Sequence, residues 1–350
     1  LLMVYYRNWK SKALENFGKE LSKHGLISTF SKGRENIKFA LLIFCISSLI
    51  IGISNPQIGT KMEEVKREGV DLMIALDLSN SMNFGFVLPN RGPLSTREGL
   101  ISLAKQGESL GFDFMAVSDH IVMPRNISST YPYTDSGEFP GGEFVGDCLE
   151  QLTTLAFIAG ATSKAQLLTS VMVTPYRSAI HAGKVIATID VLSKGRLLIG
   201  LGAGWMEEEF KAMGLNSYAS RGGVTDEYIS AFKEMWTSNN PDFKGDHVSF
   251  SNIAFEPKPA QKPHPPIWTG GESPAALRRA GKYADVWYPI GNNPKYRLQK
   301  PEKLHSYFEK VKQNAYEVGR DPGTISLAYA ASWYDERSVH KSEDGDRTIL

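Results

Sequence analysis

Asp119 and His120 stand side by side after the apolar run Phe114–Ser118, and of the pairs in this sequence they are the best suited to proton transfer. An imidazole changes charge near neutral pH, so at a strand end it can accept or donate a proton beside a redox centre. His181, early in a helix, and His264, in a Pro-rich stretch, read as structural or solvated. Arg177, in Thr-Pro-Tyr-Arg after another apolar run, offers a fixed cation to an anionic substrate or cofactor group, or to a neighbouring carboxylate.

Two glycine clusters follow apolar runs. In Gly200-Leu201-Gly202-Ala203-Gly204 the dinucleotide-binding spacing fails, and no acidic residue ends a following strand to take a ribose hydroxyl. These glycines instead mark a close approach of backbone to a flat ligand or to a neighbouring strand. Gly270 and Gly271 lead from a strand into a helix, where a nest of backbone N–H groups can hold an anion. Asp77, Ser79 and Ser81 alternate after the run Val70–Leu76 and could supply oxygen ligands to a hard divalent cation.

These residues need elements to position them. Seven short apolar runs read as strands: Phe84–Leu88, Phe114–Ser118, Gln166–Val173, Arg196–Gly202, Ile267–Gly271, Asp285–Gly291 and Ile325–Ala330. Helical patterns alternate with them. Ser95 and Glu98 read as a capping box, Leu149–Ala161 and Ile180–Leu192 as apolar helices, and Met206–Met213 as a short acidic one. Pro274 sits at the first position of a helix opened by Ser273, and Glu302–Val318 is amphipathic. An insertion between Met213 and Ile267 carries an extra strand at Val248–Phe255 and a stiff Pro-rich connection. Alternating β and α units with fully apolar strands argue an α/β fold with a parallel sheet. Polar and Gly-rich residues after almost every strand favour a (β/α)8 TIM-type barrel over a doubly wound sheet. With seven strands legible, the barrel is expected to lack its eighth.

The charges balance, 39 Lys and Arg against 38 Asp and Glu for a net +1, which gives no compositional case for nucleic-acid binding. At 42% hydrophobic and 11% aromatic residues the chain is globular rather than disordered or fibrous. Cys45 and Cys148 cannot make a disulfide framework and have no metal-ligand spacing, so a reducing compartment is the default. The beginning differs from the rest. Residues 1–38 are basic, and residues 39–54 centre on the uncharged run Phe39–Ile53. At about 1.5 Å per residue that run is short for a hydrocarbon core of roughly 30 Å, yet its basic flank predicts a transmembrane helix and membrane association.

Residues 36–82, with Asn55–Gly59 (NPQIG), GVDLMIALD and SNSM, resemble the start of a bacterial membrane-anchored von Willebrand factor A protein of the aerotolerance (Bat) type. That resemblance implies that Asp77, Ser79 and Ser81 begin a metal-ion-dependent adhesion site. Nothing after Met82 continues that fold, so 55–82 reads as a truncated stub, its motif as orphaned with no metal, and the junction at Met82–Asn83 as accidental.

Residues 83–335 resemble the luciferase-like monooxygenase superfamily, in its coenzyme F420 (deazaflavin)-dependent oxidoreductase branch. The resemblance rests on FGFVLP, SDHIVMP, SVMVTPYR, ATIDVLSKGRLLIGLGAGWMEEEF and EPKPAQKPHPPIWTGGESPAALRRAGKYADVW. It implies a barrel with the cofactor ring at its C-terminal mouth, a small-molecule substrate, a cytoplasmic location and a homodimer. Asp119 and His120 would be the catalytic pair, with His120 moving the proton. Ser170 and Val171 would be joined by a non-prolyl cis peptide backing the ring. Gly202 and Gly204 would line the ring or its tail, and Gly270 and Gly271 would hold the cofactor phosphate. Related sugar-phosphate dehydrogenases have a Glu where Trp205 stands, so a sugar phosphate is disfavoured and Trp205 reads as a hydrophobic substrate wall. The alternatives are an FMN-dependent monooxygenase, a membrane-anchored metal-dependent interaction protein, and an inactive fusion fragment ending in the polar tail 336–350.

Overall fold

Backbone pairing places eight strands in a closed ring. The structure, a computed structural model, describes residues 73–77, 83–139, 148–332, 339–341 and 347–349. Around the ring run β1 (Met73–Asp77), β2 (Asn83–Val87), β3 (Phe114–Val117), β4 (Gln166–Thr169), β6 (Leu197–Gly202), β9 (Ile267–Thr269), β10 (Val286–Trp287) and β11 (Ser326–Ser332). The two-residue β5 (Met172–Val173) continues β4 and pairs with β6. All seven strands expected from the sequence are present, and their mutual pairings are parallel.

The expectation of a missing eighth strand is corrected. β1 pairs antiparallel with β2 (Ile74 opposite Phe86, Asp77 opposite Asn83) and with β11 (Met73 opposite Ser332, Asp77 opposite Ala328). The segment read as an orphaned stub therefore fills the seam, satisfying N–H and C=O groups that β2 and β11 would otherwise leave as open edges. Its reversed direction follows from the short link 78–82, because only antiparallel neighbours can be joined without a crossover. Ser79, Ser81, the basic segment 1–38 and the apolar run Phe39–Ile53 lie outside the described residues. Among the described residues no helix is long and apolar enough to cross a membrane.

Side chains alternate through the sheet with the period of two that strands impose. Phe114, Ala116, Leu168, Leu198, Trp268, Val286, Ala328 and Ala330 fill the barrel interior. Met115, Val117, Leu167, Leu197, Ile199, Leu201 and Ile267 pack outward under the helices. Large and small residues complement each other inside. The Phe114 and Trp268 rings meet edge to face at 5.7 Å, and Gly85 makes room for Phe114, whose ring would lie 2.2 Å from any Cβ there.

The outer layer is α1 (Arg97–Ser109), α2 (Gln151–Ala161), α3 (Ala179–Leu192), α4 (Glu207–Ala212), α5 (Arg221–Thr237), α6 (Pro274–Tyr283) and α7 (Pro301–Glu317). Four local expectations change. The α1 cap is Thr96, which accepts the Gly99 amide at 3.0 Å, while Ser95 donates to the Gly92 carbonyl. The 17-residue α5 lies within the expected insertion, where Gly222 and Gly223 in its first turn weaken the helical signal of Val224, Tyr228, Phe232 and Trp236. In the insertion, β8 covers only Ser249–Phe250, pairing with β7 (Phe243–Lys244). The expected polar tail contains an antiparallel pair of β12 (Val339–Lys341) and β13 (Arg347–Ile349).

Candidate active site

Asp119 and His120, adjacent after β3, serve different partners. Asp119 is buried, and its carboxylate accepts both arms of the Arg177 guanidinium at 2.8 Å each and the Val173 amide at 2.8 Å. Arg177 also pairs with Glu150, the N-cap of α2. Burial pushes the Asp119 carboxyl up, opposed by the Arg177 fork and the Val173 amide. Burial works against the Arg177 charge, but Asp119 and Glu150 outweigh it and push its pKa up, so the guanidinium is a fixed cation. Both Asp119 oxygens are committed, and the residue ties β3 to β5. Of the two partners the sequence left open for Arg177, an anionic ligand or a carboxylate, the carboxylate is the one in place.

His120 turns to α4. Its Nδ1 lies 2.8 Å from Glu209 Oε2, which also accepts the Tyr176 hydroxyl at 2.8 Å, while Glu209 Oε1 accepts the amides of Ile121 at 2.7 Å and Val122 at 3.2 Å. Burial penalises the Glu209 charge, yet these bonds, led by His120, hold its pKa below the usual carboxylate range. An ionised Glu209 fixes the hydrogen on Nδ1 and leaves Nε2 as the nitrogen for proton exchange. Sequence reasoning missed Glu209. A readable signal existed: in α4 it falls on the face shared by Met206, Phe210 and Met213, and a carboxylate on an apolar face requires a polar partner.

The neighbouring Glu208 clamps the loop that follows His120. It accepts the amides of Ser128 and Ser129 at 2.8 and 2.9 Å and the Ser129 hydroxyl at 2.7 Å, and that hydroxyl accepts the Glu207 amide. The clamped loop carries an aromatic cluster over the site. Tyr131 meets Trp205 at 5.0 Å between ring centroids, Phe139 meets Trp205 at 5.4 Å, and Phe139 lies 5.8 Å from the His120 ring. Trp205 therefore stands in an aromatic wall with Tyr131 and Phe139, and Phe139 is the member of that wall beside the His120 ring.

After the neighbouring strand β4, the Ser170–Val171 peptide is cis, and Ser170 Oγ lies 3.3 Å from the Tyr288 hydroxyl. The glycines crowd this turn. A Cβ on Gly200 would stand 2.0 Å from the Thr169 carbonyl, and one on Gly202 2.6 Å from Val171. Gly204, at φ +82°, faces Val173 and Phe210. Contact with a neighbouring strand, one of the two meanings open for this cluster, is present here. Gly270 approaches the Tyr288 carbonyl, and the Gly271 carbonyl accepts the Trp287 indole at 3.0 Å. Glu272, which follows, is buried and missing from the sequence-based candidates.

The luciferase-like monooxygenase profile matches residues 82–336. The chain belongs to this family. Its similarity extends to an FMNH2-dependent dimethylsulfone monooxygenase of Pseudomonas putida, 31% identical over 180 residues that make up 49% of each chain. A pyrimidine monooxygenase, RutA, of Klebsiella pneumoniae is 29% identical over 53% of this chain and 50% of its own. The chain thus spans about half the length of these curated relatives. An F420-dependent secondary alcohol dehydrogenase, solved with an F420–acetone adduct, shares the fold with a TM-score of 0.53 at 21% identity, covering 69% of this chain and 66% of that one. The sequence relatives thus include proteins named for FMNH2, the fold is shared with a protein named for F420, and the family is one of oxidoreductases and monooxygenases. The Bat-type resemblance of residues 36–82 is not shown by these comparisons, and the family match begins where that segment ends.

Proposed function

We propose that this protein is an oxidoreductase that holds a deazaflavin in the barrel mouth and acts on a small organic substrate with an apolar body. The reading is carried by the His120–Glu209 dyad, whose histidine follows β3, and by the cis turn at Ser170–Val171, which follows the adjacent parallel strand β4, so both stand at the same end of the barrel. The residues present fit such a group. Thr174 Oγ1, Thr269 Oγ1 and Glu272 Oε2 are buried at the strand ends with no hydrogen-bond partner among the described residues, which leaves polar atoms for a ligand to meet.

When bound, the deazaflavin supplies hydride exchange at its ring carbon. The chain's own residues do the rest. The Ser170–Val171 turn, fixed by Tyr288 and seated on Gly200 and Gly202, backs the ring. His120 Nε2 moves the proton that accompanies the hydride, and Glu209 holds the imidazole and stabilises it when charged. Trp205, Tyr131 and Phe139 shield the site from water and select an apolar substrate. Asp119 and Arg177 position β5 beneath the turn, and Gly202, Gly204, Gly270 and Gly271 give the backbone close approach to ring and phosphate.

Titration with deazaflavin, followed by its absorbance and fluorescence, tests the reading: saturable binding is expected, and no spectral change with either deazaflavin or FMN overturns it. The roughly 30% identity to proteins named FMNH2-dependent favours a second reading, an FMN-dependent monooxygenase in the same mouth. Tighter binding of FMN together with oxygen consumption by its reduced form selects that one.

A further inference from the structure

Glu272 lies just beyond β9 and is 2% exposed. Its Oε1 accepts the amides of Ile290 at 3.0 Å and Gly291 at 3.3 Å, whereas Oε2, also buried, has no hydrogen-bond partner among the described residues. Two donors on one oxygen and none on the other is a poor arrangement for a carboxylate, which would leave charge on Oε2 with nothing to solvate it. A protonated carboxyl fits better, with carbonyl character on Oε1 and on Oε2 a hydroxyl that lacks an acceptor. Burial pushes the group in that direction against the amides of Gly291, Ile290 and Glu272 itself. The titratable groups within electrostatic reach are Tyr133 of the mouth loop and Tyr329 of β11, both phenols. Arg278 and Lys310 line a groove that Glu272 borders between α6 and α7, and neither donates to the carboxyl.

Its surroundings tie Glu272 to the proposed ring site. Gly270, two residues earlier, lies against Val171 and the Tyr288 carbonyl, and the Tyr288 hydroxyl reaches Ser170. Resting on the function proposed above, we propose that Glu272 is a neutral carboxylic acid of the barrel mouth whose Oε2 hydroxyl donates a hydrogen bond to an oxygen acceptor of the bound cofactor, a ring carbonyl or a phosphate oxygen. It supplies orientation by hydrogen bonding without adding negative charge beside a phosphate.

Infrared difference spectroscopy between the parent protein and Glu272→Gln, at neutral pH and with and without cofactor, tests this. The expected result is the carbonyl band of a protonated carboxylic acid that shifts on saturation with deazaflavin or FMN. A shift with riboflavin, which lacks the phosphate, assigns the acceptor to the ring; a shift with FMN but not riboflavin assigns it to the phosphate. Glu272→Gln keeps a donor and should bind FMN within about threefold of the parent, while Glu272→Ala should bind it about tenfold more weakly, a loss of one hydrogen bond. Carboxylate bands alone, an acid band that cofactor leaves unmoved, or a Gln variant as weak as Ala would overturn the inference. Failure of the parent to bind any of these cofactors overturns the function proposed above and this inference with it, whereas binding without a band shift overturns the inference alone.

Discussion

In the proposed mechanism His120 and Glu209 divide the work of one acid–base device, and substitution should separate the two parts. His120→Ala removes the proton-transfer atom and should lower kcat by about 10²–10⁴-fold, with cofactor affinity little changed in a direct titration. Glu209→Gln keeps the shape but lets Nδ1 accept as well as donate, so kcat should fall with a shifted pH–rate profile rather than a uniform loss. Glu209 also links stability to pH. Its folded pKa lies below the ordinary carboxylate value because of the bonds from His120, Ile121 and Tyr176, despite burial. The stability it contributes is therefore present above the ordinary carboxylate pKa and is lost as pH falls through the depressed one. Melting temperature measured from neutral to acid pH should fall less steeply for Glu209→Gln than for the parent. Arg177 carries a different cost. Arg177→Met leaves Asp119 buried without a counter-ion, which should destabilise the fold by about 3–5 kcal/mol in denaturant unfolding, and adding Asp119→Asn should recover part of that loss.

At the scale of elements, the site depends on how closely β6 can lie against the turn between β4 and β5. A methyl group on Gly200 would meet the Thr169 carbonyl at 2.0 Å, a backbone atom that cannot rotate away. Gly200→Ala should cost about 1–3 kcal/mol or more in equilibrium unfolding and should weaken cofactor binding, because relief requires moving the Ser170–Val171 segment. The strands were legible because each is a continuous apolar run, and α6 because Ser273 and Pro274 announce its start. α5 was not, since paired glycines lower helix propensity while tertiary burial of Val224, Ile229, Phe232, Met235 and Trp236 more than compensates. The α1 cap moved by one residue because Ser95 and Thr96 are both competent caps, and Ser95 found the Gly92 carbonyl.

For the whole molecule, closure of the ring is the main outcome. Seven parallel strands leave two edges, and Met73–Asp77 occupies both at once. Ala75 pairs with Gly85 on one side and Ala330 on the other. Ala75→Pro removes a ladder N–H and should open the seam, seen as loss of amide hydrogen-exchange protection in β2 and β11 while β4 and β6 stay protected. Equal protection in all four strands would show that β1 contributes nothing to closure.

The sequence by itself determined the strand positions, the alternation of interior and exterior residues, and the presence of His120, the cis turn and the glycine clusters at the mouth. Each is local: an apolar run, a resemblance carried by contiguous residues, a turn chemistry. The tertiary structure alone decided which partner each side chain takes. Asp119 and Arg177 are 58 positions apart, His120 and Glu209 89, and Glu272 reaches amides 18 and 19 residues away. Whether a carboxyl becomes a counter-ion, an imidazole clamp or a buried acid depends on the dielectric and donors that distant segments bring to it. The same holds for β1: its sequence specified a strand, and only the unpaired edges of β2 and β11 gave that strand a place.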